Sequence, residues 1–207
     1  MPRAKKALHT KQRFHHGDLR EALVAATREL LQEHGPDGFT LADACRRAGV
    51  TTAAPYKHFR GKQEVLQEII SRGFDELTAA NAKAVAEGGP GTLAGITAMV
   101  ISYLDFAVAQ PAVFRLMFGH KSDLRKAQHV DESGNQCLKN VINEVAACSR
   151  KHSQKVDAER VAIRLWTFVH GASCLEIDSD YERVAPGLDV RELIADVAPR
   201  LLSVTPS

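Results

Sequence analysis

The sequence predicts an all-α protein, and three observations carry that prediction. Nowhere do four or more residues alternate apolar and polar in a β-branched or aromatic run, so strands have no signal. Apolar residues recur instead at helical offsets along most of the chain. Gly35-Pro36, Gly49, Gly88-Gly89-Pro90-Gly91, Pro111, Gly119 and Pro186-Gly187 punctuate those stretches as helix ends.

The first helix is announced by Asp18 with Glu21 three residues on, a capping-box pattern in which each side chain accepts from a free backbone N–H. Leu19, Leu23, Ala26 and Leu30 give it one apolar face, and Gly35-Pro36 ends it. Thr40 opens a second helix with Asp43 as its box partner. Leu41, Ala44, Cys45 and Ala48 share its face, and Gly49 stops it after barely two turns. Thr51 or Thr52 caps a third helix, expected to run to about Phe59. A longer helix is expected over 62–86. Beyond the glycine break, helices are expected at roughly 92–109, 112–118, 132–152, 157–178 and 189–203, with ends uncertain by about 2–4 residues. The architecture is thus an N-terminal three-helix unit joined by a long helix to a helical C-terminal body.

Composition narrows the function. Hydrophobic residues are 44% and charged ones 25% of 207, an ordinary globular balance that excludes wholesale disorder. The longest apolar stretch, 161–175, contains Arg164 and His170 and falls short of the ~18 residues a membrane span needs. The basic start lacks the apolar core of a signal peptide, so the expected location is the cytoplasm, with no membrane partner. Cys45, Cys137, Cys148 and Cys174 have no C-x-x-C spacing and read as reduced packing residues. His15-His16 lack a third ligand, so no metal is expected, and nothing calls for a cofactor. The net charge of +2 hides an asymmetry: residues 1–62 carry twelve Lys and Arg against six Asp and Glu, the remainder fifteen against nineteen. A basic front on an acidic body suggests a polyanion partner for the front alone.

Two short helices joined by Gly49-Val50-Thr51 form the signature of a helix-turn-helix over 40–59. Glycine permits the turn, and Val50 plugs the gap between the helices. Thr52-Ala53-Ala54 make the leading end of the second helix slim enough to approach the floor of the DNA major groove. Pro55 lies in the first turn, where its missing N–H costs little.

The run from Leu41 through Tyr56-Lys57-His58-Phe59 to Gly61-Lys62-Gln63-Glu64-Val65-Leu66, with the lead-in Phe14-His15-His16-Gly17-Asp18-Leu19-Arg20, resembles the TetR family of transcription regulators. The resemblance is strong over residues 14–75. It implies a DNA-binding domain there and an effector-binding and dimerisation domain over 76–203. It also implies DNA contacts at Thr40, Thr51, Thr52, Ala53, Ala54, Tyr56, Lys57, His58 and Lys62. Thr40 and Thr51 would bring hydroxyls and helix N-terminal N–H groups to phosphates. Tyr56 and His58 would bond the backbone, and Lys62 would open the next helix near a phosphate. Thr52 and Lys57 are candidates for base edges, with Ala53 and Ala54 against thymine methyls. Without the resemblance, Thr40 and Thr51 are simply caps and Tyr56 core; Phe59 is core on either reading.

In the second half, 161–175 is apolar almost all round, so every side of that helix must be covered. One face packs on its own domain; the other needs a second chain or the last helix. Leu188, Val190, Leu193, Ile194, Val197, Leu201 and Leu202 give the last helix its own stripe. Two such helices from each subunit would make a four-helix homodimer interface, as in the TetR family. Val169 and Leu193 are where an introduced charge is expected to break it. Trp166-Thr167-Phe168-Val169-His170-Gly171, preceded by 111–118, also resembles one C-terminal domain type of this family with a Trp…His-Gly element. Met99, Tyr103, Phe106, Phe114, Met117, Phe118, Trp166 and His170 would line an apolar cavity for a small effector, or equally fill a core, since both share one composition.

The implied function is a DNA-binding regulator, a repressor released from a pseudo-palindromic operator by a small apolar effector. An enzyme finds no support, because no phosphate loop, nucleophile elbow or H-E-x-x-H is present. A helical interaction adaptor with a basic arm explains the charge split but not the slim helix after Gly49.

Overall fold

The computed structural model describes residues 16–53, 58–119, 124, 127–152 and 156–202, and no strand occurs among them. The helices are α1 (His16–His34), α2 (Leu41–Arg47), α3 (Lys62–Gly88), α4 (Leu93–Ala109), α5 (Pro111–Phe118), α6 (Gln128–Lys151), α7 (Ala158–Ile177), α8 (Asp180–Val184) and α9 (Val190–Leu202).

Local chemistry explains most of the ends. Gly35 and Gly49 take left-handed φ values of 68° and 69°, where a Cβ would be strained. At the second of these the chain closes the pair of hydrogen bonds typical of glycine-ended helices: Val50 N–H donates to Cys45 O at 2.9 Å and Gly49 N–H to Arg46 O at 3.1 Å. Thr92 and Asp157 cap α4 and α7 through their side chains. Pro111 opens α5 as its first residue, where its missing N–H costs nothing.

Three expectations need correction. Helix α1 already includes His16, so Asp18 lies inside its first turn and is no cap. Its supposed box partner Glu21 is instead held by Arg72 of α3 through two bonds of 2.5 and 2.7 Å. A charged bidentate pair outcompetes a single carboxylate–amide bond. Helix α6 starts about four residues earlier than expected. No side-chain cap marks Ala127, and burial of Val130 (1% exposed) draws that turn into the body. The short α8 was not anticipated; it follows Ser179, which adopts φ 58°. Of the expected third helix, Thr52 and Ala53 form a turn, and Ala54, Pro55, Tyr56 and Lys57 lie outside the described residues.

Helix α3 is the axis of the molecule. Its first half packs on α1 and α5, and it also lies along α4 and α6; α7 covers α4 and α6, and α9 covers α4 and α7. Three Arg–Glu contacts fix α1 along α3: Arg20–Glu68 at 2.6 Å, Arg72–Glu21, and Arg28–Glu76 with two bonds of 2.6 and 3.2 Å. Burial opposes ionisation of Glu68, but Arg20 and Arg72 together hold its carboxyl below the usual range. Gly73 serves close approach. A Cβ there would sit 2.6 Å from Met117 Sδ and 3.1 Å from Val113 Cγ1, so α5 crosses α3 at a distance that only glycine allows without movement. Among the described residues, no single helix is long and apolar enough to cross a membrane.

Candidate functional site

Two places bring the candidate residues together, one at each end of α3. At its start, Thr40 caps α2 with the predicted reciprocal box. Asp43 N–H donates to Thr40 Oγ1 at 3.2 Å, and Thr40 N–H donates to Asp43 Oδ2 at 2.7 Å. The Thr40 hydroxyl also donates its one proton to Asp43 Oδ2 at 2.6 Å, so it presents an acceptor to solvent. These bonds from Thr40, with Arg46 nearby, hold the Asp43 carboxyl below the usual range.

Lys62 does more than open α3. Its ammonium donates to the backbone carbonyl of Phe39 and lies 4.0 Å from the centre of the Phe39 ring. It therefore ties the start of α3 to the residue before Thr40 and sets α2 against α3. Arg47 makes the matching tie from α2 to α1, bidentate to Glu33 at 2.7 and 2.8 Å and reaching Glu29 at 3.2 Å. Several cations of the basic front are thus engaged internally. Arg60, not named from sequence, has a side chain 94% exposed whose Nε lies 3.7 Å from Glu64 Oε1. Thr51, Thr52 and Ala53 are exposed, His58 is half-buried and Phe59 is buried. The assignments at Ala54, Tyr56 and Lys57 lie outside the described residues.

Toward the far end of α3, a cavity of about 150 Å³ opens between α3, α4, α6 and α7. Of the residues named from sequence, Met99, Tyr103, Phe118 and Trp166 line it. Phe114 and Met117 are fully buried, at 1% and 0% exposure, and belong to the core, as does Phe106. His170 stands behind the wall. A second cavity of about 210 Å³ continues between α3 and α6, sharing Asn81, Met99, Cys137 and Val141 with the first.

The sequence reading missed the contribution of α3 and α6, including Phe74, Leu77, Asn81, Asp131 and Asn135. The one available signal was Asn81, a polar residue continuing the apolar stripe of Ile70, Phe74 and Leu77. It is buried (7% exposed), and its Oδ1 has no hydrogen-bond partner.

The polar groups among the wall's aromatic residues satisfy each other. Trp166 Nε1–H donates to the Tyr103 hydroxyl at 3.3 Å, and that hydroxyl meets His170 Nδ1 at 2.9 Å. With its oxygen accepting from Trp166, the Tyr103 O–H donates to Nδ1, so a neutral His170 carries its proton on Nε2, 3.7 Å from Cys174 Sγ. Aromatic rings brace this chain: Phe118 lies 4.9 Å from His170, and Phe114 lies 5.0 Å from Phe118. Burial pushes the Tyr103 hydroxyl pKa far up and the His170 pKa down, which favours the neutral forms that this bonding needs.

The lowered His170 pKa means that the folded state takes up this proton less readily than the unfolded chain. Its contribution to stability is intact above the ordinary histidine value of about 6.5 and is lost as pH falls from there through the folded value. The thermal midpoint should therefore fall more steeply between about pH 7 and pH 5 in the wild type than in His170→Gln. Equal slopes measured by calorimetry would remove His170 from that role. Among the described residues, no group of three His, Cys, Asp or Glu is placed to hold a metal ion.

Two family models match the chain. Residues 23–69 match the model described as bacterial regulatory proteins, tetR family, and residues 96–198 the one described as tetracyclin repressor-like, C-terminal domain. A solved structure of a protein with unknown function from Rhodococcus sp. RHA1 is 31% identical with a TM-score of 0.81, covering 93% of this chain and 97% of that one. The regulator FadR from Bacillus subtilis, solved in complex with stearoyl-CoA, shares the fold at 13% identity and a TM-score of 0.72, covering 88% and 97%. The nucleoid occlusion factor SlmA from Aliivibrio fischeri is 24% identical over 170 residues, 79% of this chain and 86% of that protein. The helix-turn-helix segment thus falls within one of these models and most of the body from α4 to α9 within the other, and the chain belongs to the TetR family of bacterial DNA-binding transcriptional regulators.

Proposed function

We propose that this regulator is a repressor that holds pseudo-palindromic operator DNA as a homodimer and leaves it when a small apolar effector fills the cavity between α3, α4, α6 and α7. Residues 14–75 are the DNA-binding domain and 76–203 the effector-binding and dimerisation domain. The observation that carries the reading is α3 itself. Lys62 at its start anchors the DNA-reading unit, and Leu77 and Asn81 farther along form cavity wall. At 1.5 Å per residue Lys62 and Asn81 are roughly 28 Å apart on one helix. An effector shifts the equilibrium only by binding two arrangements unequally, and a helix shared by both sites lets it do so. FadR, whose fold is similar, was solved with a small molecule bound.

For DNA, Thr40 and Thr51 meet phosphates, Tyr56 and His58 bond the backbone, and Thr52, Ala53, Ala54 and Lys57 face base edges. Lys62 contributes a phosphate contact in addition to its tie to Phe39. For the dimer, α7 turns Val161, Leu165 and Val169 inward and gives Trp166 to the cavity wall, which leaves Ile163 and Leu175 at 38% and 41% exposure away from that core. Val169, only 3% exposed, thus packs within its own domain, and the residues available to a second chain are Ile163, Gly171 and Leu175. The half-buried Leu193, Val197 and Leu201 continue that surface on α9.

Gel shifts on fragments of the parent genome test the DNA half. Specific retention at ~150–200 mM salt is expected, and its absence at every fragment would refute operator binding. In the same assay Lys57→Ala should relax base preference. Lys62→Ala should weaken binding to all sequences and flatten the salt slope by about one unit. An unchanged slope would leave Lys62 with its structural tie alone.

A further inference from the structure

We infer that the cavity selects an apolar molecule carrying a positively charged nitrogen, rather than a fatty acid or another anion. The inference rests on the cavity being the effector site and adds the effector's chemistry. Three observations point the same way.

The first is charge. Neither cavity has lysine, arginine or histidine among its lining residues, whereas Asp131 lines one and Glu144 the other. An anion brought in from water would lose its hydration and meet no compensating cation, which is the costliest case of burial. A cation with its head toward Asp131 keeps a counter-charge at the exposed rim of α6.

The second is the wall itself. Phe74, Tyr103, Phe118 and Trp166 all line the larger cavity. Aromatic faces attract a desolvated cation and offer nothing comparable to a carboxylate.

The third is Asn81. The Tyr103 hydroxyl already serves Trp166 and His170, whereas the buried Asn81 carboxamide, where the two cavities meet, has an oxygen left to bond. Its Oδ1 is buried without a partner. A buried carbonyl left unmatched is a standing cost in the empty protein, relieved by an N–H donor or a cationic head. The carboxamide torsion is broad and two-fold, so its oxygen can turn to either cavity. Asn81 lies on α3, so an occupant bonded there acts directly on the helix that begins at the DNA-reading unit.

The two cavities together reach the low end of volumes that hold small molecules, roughly 300–1,000 Å³. A single flexible chain therefore suits the space better than a bulky polycycle.

The test compares three probes that share one ten-carbon tail: decyltrimethylammonium, decanol and decanoate. Each is titrated below its micelle concentration into the full chain, with Trp166 fluorescence and calorimetry as readouts. The ammonium probe should bind about tenfold or more tightly than decanoate, with decanol between them. Asp131→Asn should narrow that gap. Asn81→Leu should raise the thermal midpoint of the ligand-free protein yet weaken binding of decanol, whose hydroxyl donates. Decanoate binding as tightly as the ammonium probe would overturn the inference while leaving the cavity as effector site. Failure of all three probes to bind would overturn the effector site itself. Unchanged decanol binding in Asn81→Leu would remove Asn81 as the anchor.

Discussion

Gly171→Arg should turn the dimer into a monomer and lower operator affinity by about a hundredfold or more, since joining two half-site contacts multiplies affinity by 10²–10⁴. The position is informative because the fold of one chain gives no reason for glycine there. A Cβ at Gly171 would meet nothing within 4 Å, and glycine inside a helix costs about 1 kcal/mol relative to alanine. Gly73 shows the contrast, with Met117 and Val113 pressed against it by the same chain. Because Gly171 faces open space, an arginine there leaves the subunit's own packing intact. Its charge and bulk then act only on a surface where Ile163 and Leu175 are 38% and 41% exposed. Light scattering and gel shifts on one preparation make the check. An arginine variant that stays dimeric, or a wild type monomeric at micromolar concentration, would place the interface elsewhere or remove it. Gly171→Ala sharpens the result: in a free helix face it should raise the thermal midpoint, and at a close helix crossing it should lower dimer stability.

The second large effect is expected inside the body. Phe114→Ala should cost about 3–5 kcal/mol, the range for removing a fully buried aromatic side chain that leaves a cavity behind. Phe114 is 1% exposed, and its ring centre lies 5.0 Å from Phe118, 5.2 Å from His170 and 5.7 Å from Tyr103. Its loss therefore removes the support beneath the Trp166–Tyr103–His170 chain. Phe118→Ala, four residues on, is the comparison. That ring is half-buried and borders the cavity, so truncation merges with existing space and should cost less stability while altering probe binding. Urea denaturation of both variants checks the ranking. Equal losses, with probe binding unaffected by Phe118→Ala, would make Phe118 core as well.

The difference between those two phenylalanines marks the limit of what sequence reading reached. Helix ends at Gly35, Gly49, Thr40 and Pro111 were legible because the bonds that fix them join residues within about five positions. The alternation of those ends with apolar faces fixed the all-α class. The motif from Leu41 to Leu66 was legible for the same reason, since its turn chemistry is local. Tertiary structure alone decided what depends on partners far along the chain. Glu21, read as a cap for its own helix, is taken by Arg72 fifty-one positions away. Lys62, read only as a phosphate ligand, also anchors Phe39. Phe114 and Phe118 lie on one helical stripe, as Trp166 and His170 do, and periodicity gives each pair one face. Whether that face meets a packed neighbour or an opening is set by where α3 and α6 lie, and Asn81 enters the site only because they do. A stripe records that a residue turns inward; the helices opposite determine whether it finds a solid core or a cavity.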